Sequence, residues 1–173
     1  MNMKVNVAKF RRKEGESARF KLREDFSGCD LGTDGLSFQT PVDVQFQVTN
    51  TDKELLVYGT VQTELLAVCG RCLSAYEYPL QFSFHDEWVF PEQATESILE
   101  TALLLDKDEV EVKERVFEQI LLALPMKFVC SADCQGLCPV CGVNRNLETC
   151  QCEEDVTDPR LAVLEKWQVN SDH

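Results

Sequence analysis

Polar and apolar residues alternate most clearly in the middle of the chain. Val42, Val44, Phe46 and Val48 are interleaved with Asp43, Gln45 and Gln47, the period-2 signature of a strand with one face buried and one wet. The turn-forming run TNTDKE (49–54) follows, and then LLVYGTVQTELLAV (55–68), rich in β-branched and aromatic residues, predicts a second strand. In YEYPLQFSFHDEWVF (76–90) the alternation returns through Tyr76, Tyr78, Leu80, Phe82 and Phe84, with Pro79 marking an edge or an irregularity. Two shorter strands are predicted earlier, in KVNVAKF and ARFKLRE, with a turn at EGES. The period changes after Pro91. The segment EQATESILETALLLDKDEVE reads either as a helix then a strand or as an acidic linker. Val112, Val116, Ile120 and Leu124, joined by Phe117 and Leu121, then give the i, i+4 spacing of an amphipathic helix that Pro125 ends. The helix is expected to pack on the sheet. Asp158 and Pro159 form an N-cap and N1 pair for a last helix in DPRLAVLEKW (158–167).

These elements predict an α+β protein: an antiparallel sheet able to curl into a partial barrel, a packed amphipathic helix, and a small C-terminal Cys-rich zinc-binding segment. The expected division is a β-rich core over 1–128 and a Cys-rich segment with its terminal helix over 129–173. A hydrophobic content of 44% in 173 residues supports a real core. No apolar run approaches the ~20 residues that span a bilayer, so no membrane association is expected. The start MNMKVNVAKFRRK has no apolar signal region, and Glu14 and Glu16 argue against a transit peptide. A cytoplasmic location, where thiols stay reduced, is the expectation.

Nine cysteines are an odd number, so disulfides cannot use them all. Six lie close together: Cys130, Cys134, Cys138, Cys141, Cys150 and Cys152. Cys69 and Cys72, like Cys138 and Cys141, have the two-residue gap that turns both thiolates toward one ion, and Cys130 and Cys134 fall within the same range. With Cys29 set aside, eight thiols can make one or two four-thiolate zinc sites. The segment 130–152 has too few apolar residues for a core, and zinc binding coupled to folding would supply the missing stability. Which four thiols share an ion stays open. Cys138 and Cys141 can pair with Cys150 and Cys152; Cys130 and Cys134 can replace either pair or join Cys69 and Cys72. The rival is redox chemistry, since VCGRC is similar to the C-G-x-C of thiol oxidoreductases. Strand alternation after Cys72, however, removes the helix N-terminus that would activate a thiolate.

No phosphate-binding loop, dinucleotide fingerprint or nucleophile elbow is present. His85 falls in a strand pattern and His173 at the chain end, so neither reads as a ligand. Trp88 and Trp167 read as core or interface residues, and EEDVTD (153–158) as a solvated linker. No enzyme and no small-molecule substrate are expected.

The net charge of −13 is uneven. Residues 1–23 hold Lys4, Lys9, Arg11, Arg12, Lys13, Arg19, Lys21 and Arg23 against two acids, about +6, which leaves −19 elsewhere. The acidic remainder repels phosphate and attracts a basic partner. The basic arm is either a contact for RNA or the wet face of a strand.

Taken in order, CGRCL (69–73), LALPMKFVC (122–130), CQGLCPVCGVNRN (134–146), CQC (150–152) and DPRLAVLEKW (158–167) make the chain resemble the YceD-like family of large ribosomal RNA subunit accumulation proteins. The resemblance covers most of 55–167. It implies a bacterial or plastid protein needed for accumulation of large-subunit (23S) rRNA, with no established enzymatic activity. Some members lack the C-terminal cysteines, so the resemblance implies a structural metal. A basic ribosomal or ribosome-assembly protein is the expected partner. The alternatives are an RNA-binding zinc module that touches rRNA through the basic arm, with Arg71 and Arg145 near the knuckles, and a thiol-based redox sensor.

Overall fold

The structure, a computed structural model, describes residues 3–9, 13–51, 53–91, 102–105 and 108–152. The expected helix 158–167, with Asp158, Trp167, His173 and the EEDVTD run, lies outside the described residues, as do Arg11, Arg12 and most of the ambiguous segment after Pro91. The chain divides into two compact units, Met1–Gly70 with Ser74–Cys130 and Arg71–Leu73 with Ser131–His173.

The first unit is built on β1 (Lys4–Asn6), β2 (Ser17–Glu24), β3 (Ser37–Phe38), β4 (Val42–Asn50), β5 (Leu55–Val68), β6 (Ala75–Val89), β7 (Leu103–Leu104), β8 (Glu109–Glu111) and α1 (Lys113–Ala123). Its main sheet runs β2-β4-β5-β6-β7, with β3 beside the far end of β5. All pairings in it are antiparallel except β6 with β7. The long meander forms where the alternation predicted it, with Val44 opposite Val61 and Leu55 opposite Trp88. Pro79 falls where β6 has β5 on one side only, since β7 reaches it at Trp88 and Val89. Its missing N–H therefore breaks no ladder bond among the described strands.

The sheet and the N-terminal strands are arranged as follows. The barrel does not close among the described residues: the sheet is open, with the eight-residue β2 at one edge and the two-residue β7 at the other. The two N-terminal strands, β1 and β2, take different partners. β1 pairs with β8, Lys4 opposite Glu111, which buries Val5 and Val110 together.

One face of the sheet is the core. Val42, Val44, Val48, Val57 and Val61 are fully buried, and Phe46, Leu65 and Trp88 nearly so. Each such side chain contributes about 1.5–3 kcal/mol of burial. Gly59 sits on this face because nothing larger fits: a Cβ there would lie 2.6 Å from Phe46 Cβ and 2.7 Å from the Phe84 ring. Helix α1 covers the core with Val116 and Ile120, while Phe117 stacks on Phe26 at 6.0 Å between centroids. Leu124 is extended ahead of Pro125, which ends the helix as expected. A buried polar cluster fastens α1. Asp86 accepts from Trp88 Nε1 at 2.9 Å and from Arg115 Nε and Nη2 at 2.9 and 2.7 Å. Those hydrogen bonds push the Arg115 pKa further above its ordinary value, against the effect of burial. Among the described residues no helix is long and apolar enough to cross a membrane.

The described part of the second unit is a knuckle closed by a bridge between Leu137 and Asn144.

Candidate metal centres

The knuckle is dictated by its sequence. Cys138 donates its N–H to the Val143 carbonyl at 2.8 Å and accepts from the Gly142 N–H at 2.9 Å, wrapping Pro139–Cys141 into a turn. Gly142 adopts φ +75°, the left-handed region that favours glycine. Gly136, at φ +73°, is required twice over, because a Cβ there would stand 3.1 Å from the Arg71 carbonyl oxygen. At the other CxxC, Cys69 donates to Ser74 O at 2.9 Å and Gly70 to Phe128 O at 2.8 Å. Leu73 carries a φ of 58°, a strained value for a side-chain-bearing residue, before the chain enters β6.

These loops gather eight cysteines into two groups of four. Cys69, Cys72, Cys130 and Cys134 form one, and Cys138, Cys141, Cys150 and Cys152 the other. Within each group all ligand sulfurs lie within 4.8 Å of one another. A tetrahedral zinc with Zn–S bonds of ~2.3 Å sets its sulfurs ~3.8 Å apart, so small adjustments would seat an ion in either. Both groups can hold a metal ion. Cys138 is nearly buried at 2% exposure, Cys141 is exposed, and Cys130 is the most open of its group. Cys29 belongs to neither and packs against the hydrophobic core.

Electrostatics in the second group show what four convergent thiols require. The backbone N–H groups of Cys141 and Val140 lower the Cys138 pKa to about 6. Hydrogen bonding with the Cys141 side chain, followed by burial, pushes Cys152 up to about 12. One thiolate is thus favoured and another is opposed, as expected of like charges packed together. A divalent cation would let all four ionise. In the first unit, burial and then the neighbouring Cys69 raise the Tyr76 pKa, keeping it a neutral phenol.

One neighbour of the sulfurs was not marked by the sequence pattern. Asn146 Nδ2 donates to Cys134 Sγ at 3.4 Å, and its Oδ1 accepts the Gln135 N–H at 2.8 Å. Arg145 Nη2 lies 3.9 Å from Cys138 Sγ. Arg71 Nη1 donates to the carbonyls of Ala132 and Cys134 at 3.4 and 3.2 Å. Both arginines therefore reach the cysteine loops, a role beyond the RNA contact considered for them from the sequence. Only their nearness to the cysteines could have hinted at it. No helix follows Cys72, so the activating dipole of a thiol oxidoreductase is missing there. His85 stands exposed on β6, away from both groups in sequence and on the strand surface.

Comparison with known proteins places the chain in a family. The model of the family described as "Large ribosomal RNA subunit accumulation protein YceD" matches residues 57–167. The uncharacterized protein Rv2926c of Mycobacterium tuberculosis is 29% identical over 168 residues, covering 94% of this chain and 79% of that protein. The uncharacterized protein YlbN of Bacillus subtilis is 28% identical over 129 residues, 73% of this chain and 74% of its own. In Zea mays, "Large ribosomal RNA subunit accumulation protein YCED homolog 1, chloroplastic" is 25% identical over 157 residues, 73% of this chain and 54% of its own. No solved structure matches the chain. With a match that spans both CxxC motifs and both four-sulfur groups, the chain belongs to the YceD family of large ribosomal RNA subunit accumulation proteins.

Proposed function

We propose that this chain is a non-enzymatic accessory protein of ribosome biogenesis, supporting accumulation of large-subunit rRNA in the cytoplasm, with two structural zinc ions holding its cysteine loops. One observation carries the reading: eight cysteines converge as two complete sets of four in a member of the YceD family. Four thiolates fill a tetrahedral shell, leaving no position for a water or a substrate, which is the arrangement of a structural site. Bound zinc would supply cross-linking and charge neutralisation. The protein's own residues orient the sulfurs through the knuckle N–H groups, Asn146 and Arg145. Contact with a basic ribosomal or assembly protein fits the acidic remainder of the chain, at −19 outside residues 1–23, and would be fast and salt-sensitive.

Direct contact with rRNA is the second reading. It is favoured by Arg19, Lys21 and Arg23, which line the wet side of strand β2. Depleting the protein in growing cells tests the role itself. The ratio of large- to small-subunit rRNA is expected to fall and to recover when the wild-type chain is restored. An unchanged ratio refutes the role. A tagged pull-down with and without ribonuclease tests the partner, because basic large-subunit proteins retained after nuclease support protein contact and their loss opposes it.

A further inference from the structure

We infer that the outward face of the main sheet, centred on Tyr58, is a binding surface for single-stranded RNA. The inference deepens the rRNA reading above and rests on it.

The strand register sets this face in rows. Arg19, Gln47, Tyr58 and His85 are successive partners across β2, β4, β5 and β6. The next row is Lys21, Gln45, Thr60 and Ser83. Neither row contains an acid, although the chain carries 30 Asp and Glu. Acids return only in the flanking rows, where Arg23 meets Asp43 at 3.9 Å. Exclusion of acids from the middle of one face, in so acidic a protein, gives that band the sign that attracts phosphate and rejects a basic protein.

The band also has the right shape and chemistry. Tyr58 is 60% exposed in the first half of a fourteen-residue strand, with glutamine, threonine and histidine around it and not an apolar patch. An isolated ring among polar groups suits a base, whose face stacks while its edges seek hydrogen bonds. Gln45, Gln47, Thr60 and Ser83 supply those donors and acceptors. Arg19 Nε donates to Gln47 Oε1 at 3.2 Å, which holds the guanidinium in the Tyr58 row. A shallow groove of about 590 Å³ crosses all four strands between the rows. Four strands at ~4.8 Å spacing span ~14 Å, and open sheet faces bearing aromatics take two or three bases.

The test is fluorescence anisotropy of the zinc-loaded full chain with a short fluorescein-labelled single-stranded RNA of mixed sequence, across a salt series. Tyr58→Ala should weaken binding about 5- to 100-fold, and Tyr58→Phe should bind like wild type. Arg19→Ala with Lys21→Ala should weaken binding and flatten the log–log salt slope by about 1.4, the loss of two single-strand phosphate contacts. Lys4→Ala, which removes a cation on β1 that pairs with Glu109 at 3.7 Å, should leave binding unchanged. Equal thermal melts and zinc contents check that each variant is folded. The inference is overturned if all variants bind RNA as the wild type does, or if the face variants lose only a co-purifying protein. Absence of RNA binding by the wild type, with a depletion strain still short of large-subunit rRNA, ends this inference and spares the functional reading. A normal rRNA ratio on depletion ends that reading instead.

Discussion

Asp86 is a buried charged side chain whose loss the first unit should feel strongly. Its side chain is 3% exposed and its two oxygens receive four hydrogen bonds, one from Trp88, two from Arg115 and one from the Glu87 backbone N–H. Asp86→Ala strands the indole N–H in a buried site, at a cost of about 1–3 kcal/mol. It also breaks an ion pair, which costs about 3–5 kcal/mol when both partners are buried. Arg115 is 28% exposed and keeps Glu118 at 3.0 Å, so water and that carboxylate recover much of the second loss. The sum comes to about 3–4 kcal/mol. Urea unfolding at saturating zinc, with the slope held constant between variants, measures it as a shift of the midpoint. Arg115→Met costs less, because Asp86 retains the Trp88 bond. Combining the two should show a coupling of about 1–3 kcal/mol. A loss of less than about 0.5 kcal/mol for Asp86→Ala, the level of an ordinary surface change, would refute the reasoning.

Further outcomes follow from the same contacts. Gly59→Ala should destabilise by about 1–3 kcal/mol in the same assay, since its Cβ would overlap Phe46 and Phe84; an unchanged midpoint would show that the core yields freely. Asn146→Ala should lower the zinc affinity of the group containing Cys134 by about 10- to 100-fold in a chelator competition, while the group containing Cys138 keeps its own. Equal loss from both groups would contradict that assignment.

The strands were legible because each buries one face: Val42 to Val48, Leu55 to Val68 and Tyr76 to Val89 declare themselves through alternation alone. Their partners were less so. β1 pairs with β8 at the far end of the unit because Val5 and Val110 need a common cover, a demand that no local pattern near Lys4 displays. The phase of β6 put Asp86 on the inward side with Phe82, Phe84 and Trp88, so its burial was readable. That Arg115 would meet it was not, since α1 reads as a helix whatever it packs against. Spacing marked the cysteines as metal-binding, and short separations favoured Cys138 and Cys141 with Cys150 and Cys152. Grouping Cys69 and Cys72 with Cys130 and Cys134 depended on the path of the chain between them. The wet face of the sheet was written in the sequence as scattered Arg, Lys, Gln and Tyr; only register lines them up.

The most direct test of the account is the metal content of the chain purified without added metal under reducing conditions, by native mass spectrometry and elemental analysis. Two zinc ions per chain, falling to one in Cys138→Ser and unchanged by further reductant, is the predicted result. A metal-free disulfide form, or iron with visible absorbance in place of zinc, would contradict it.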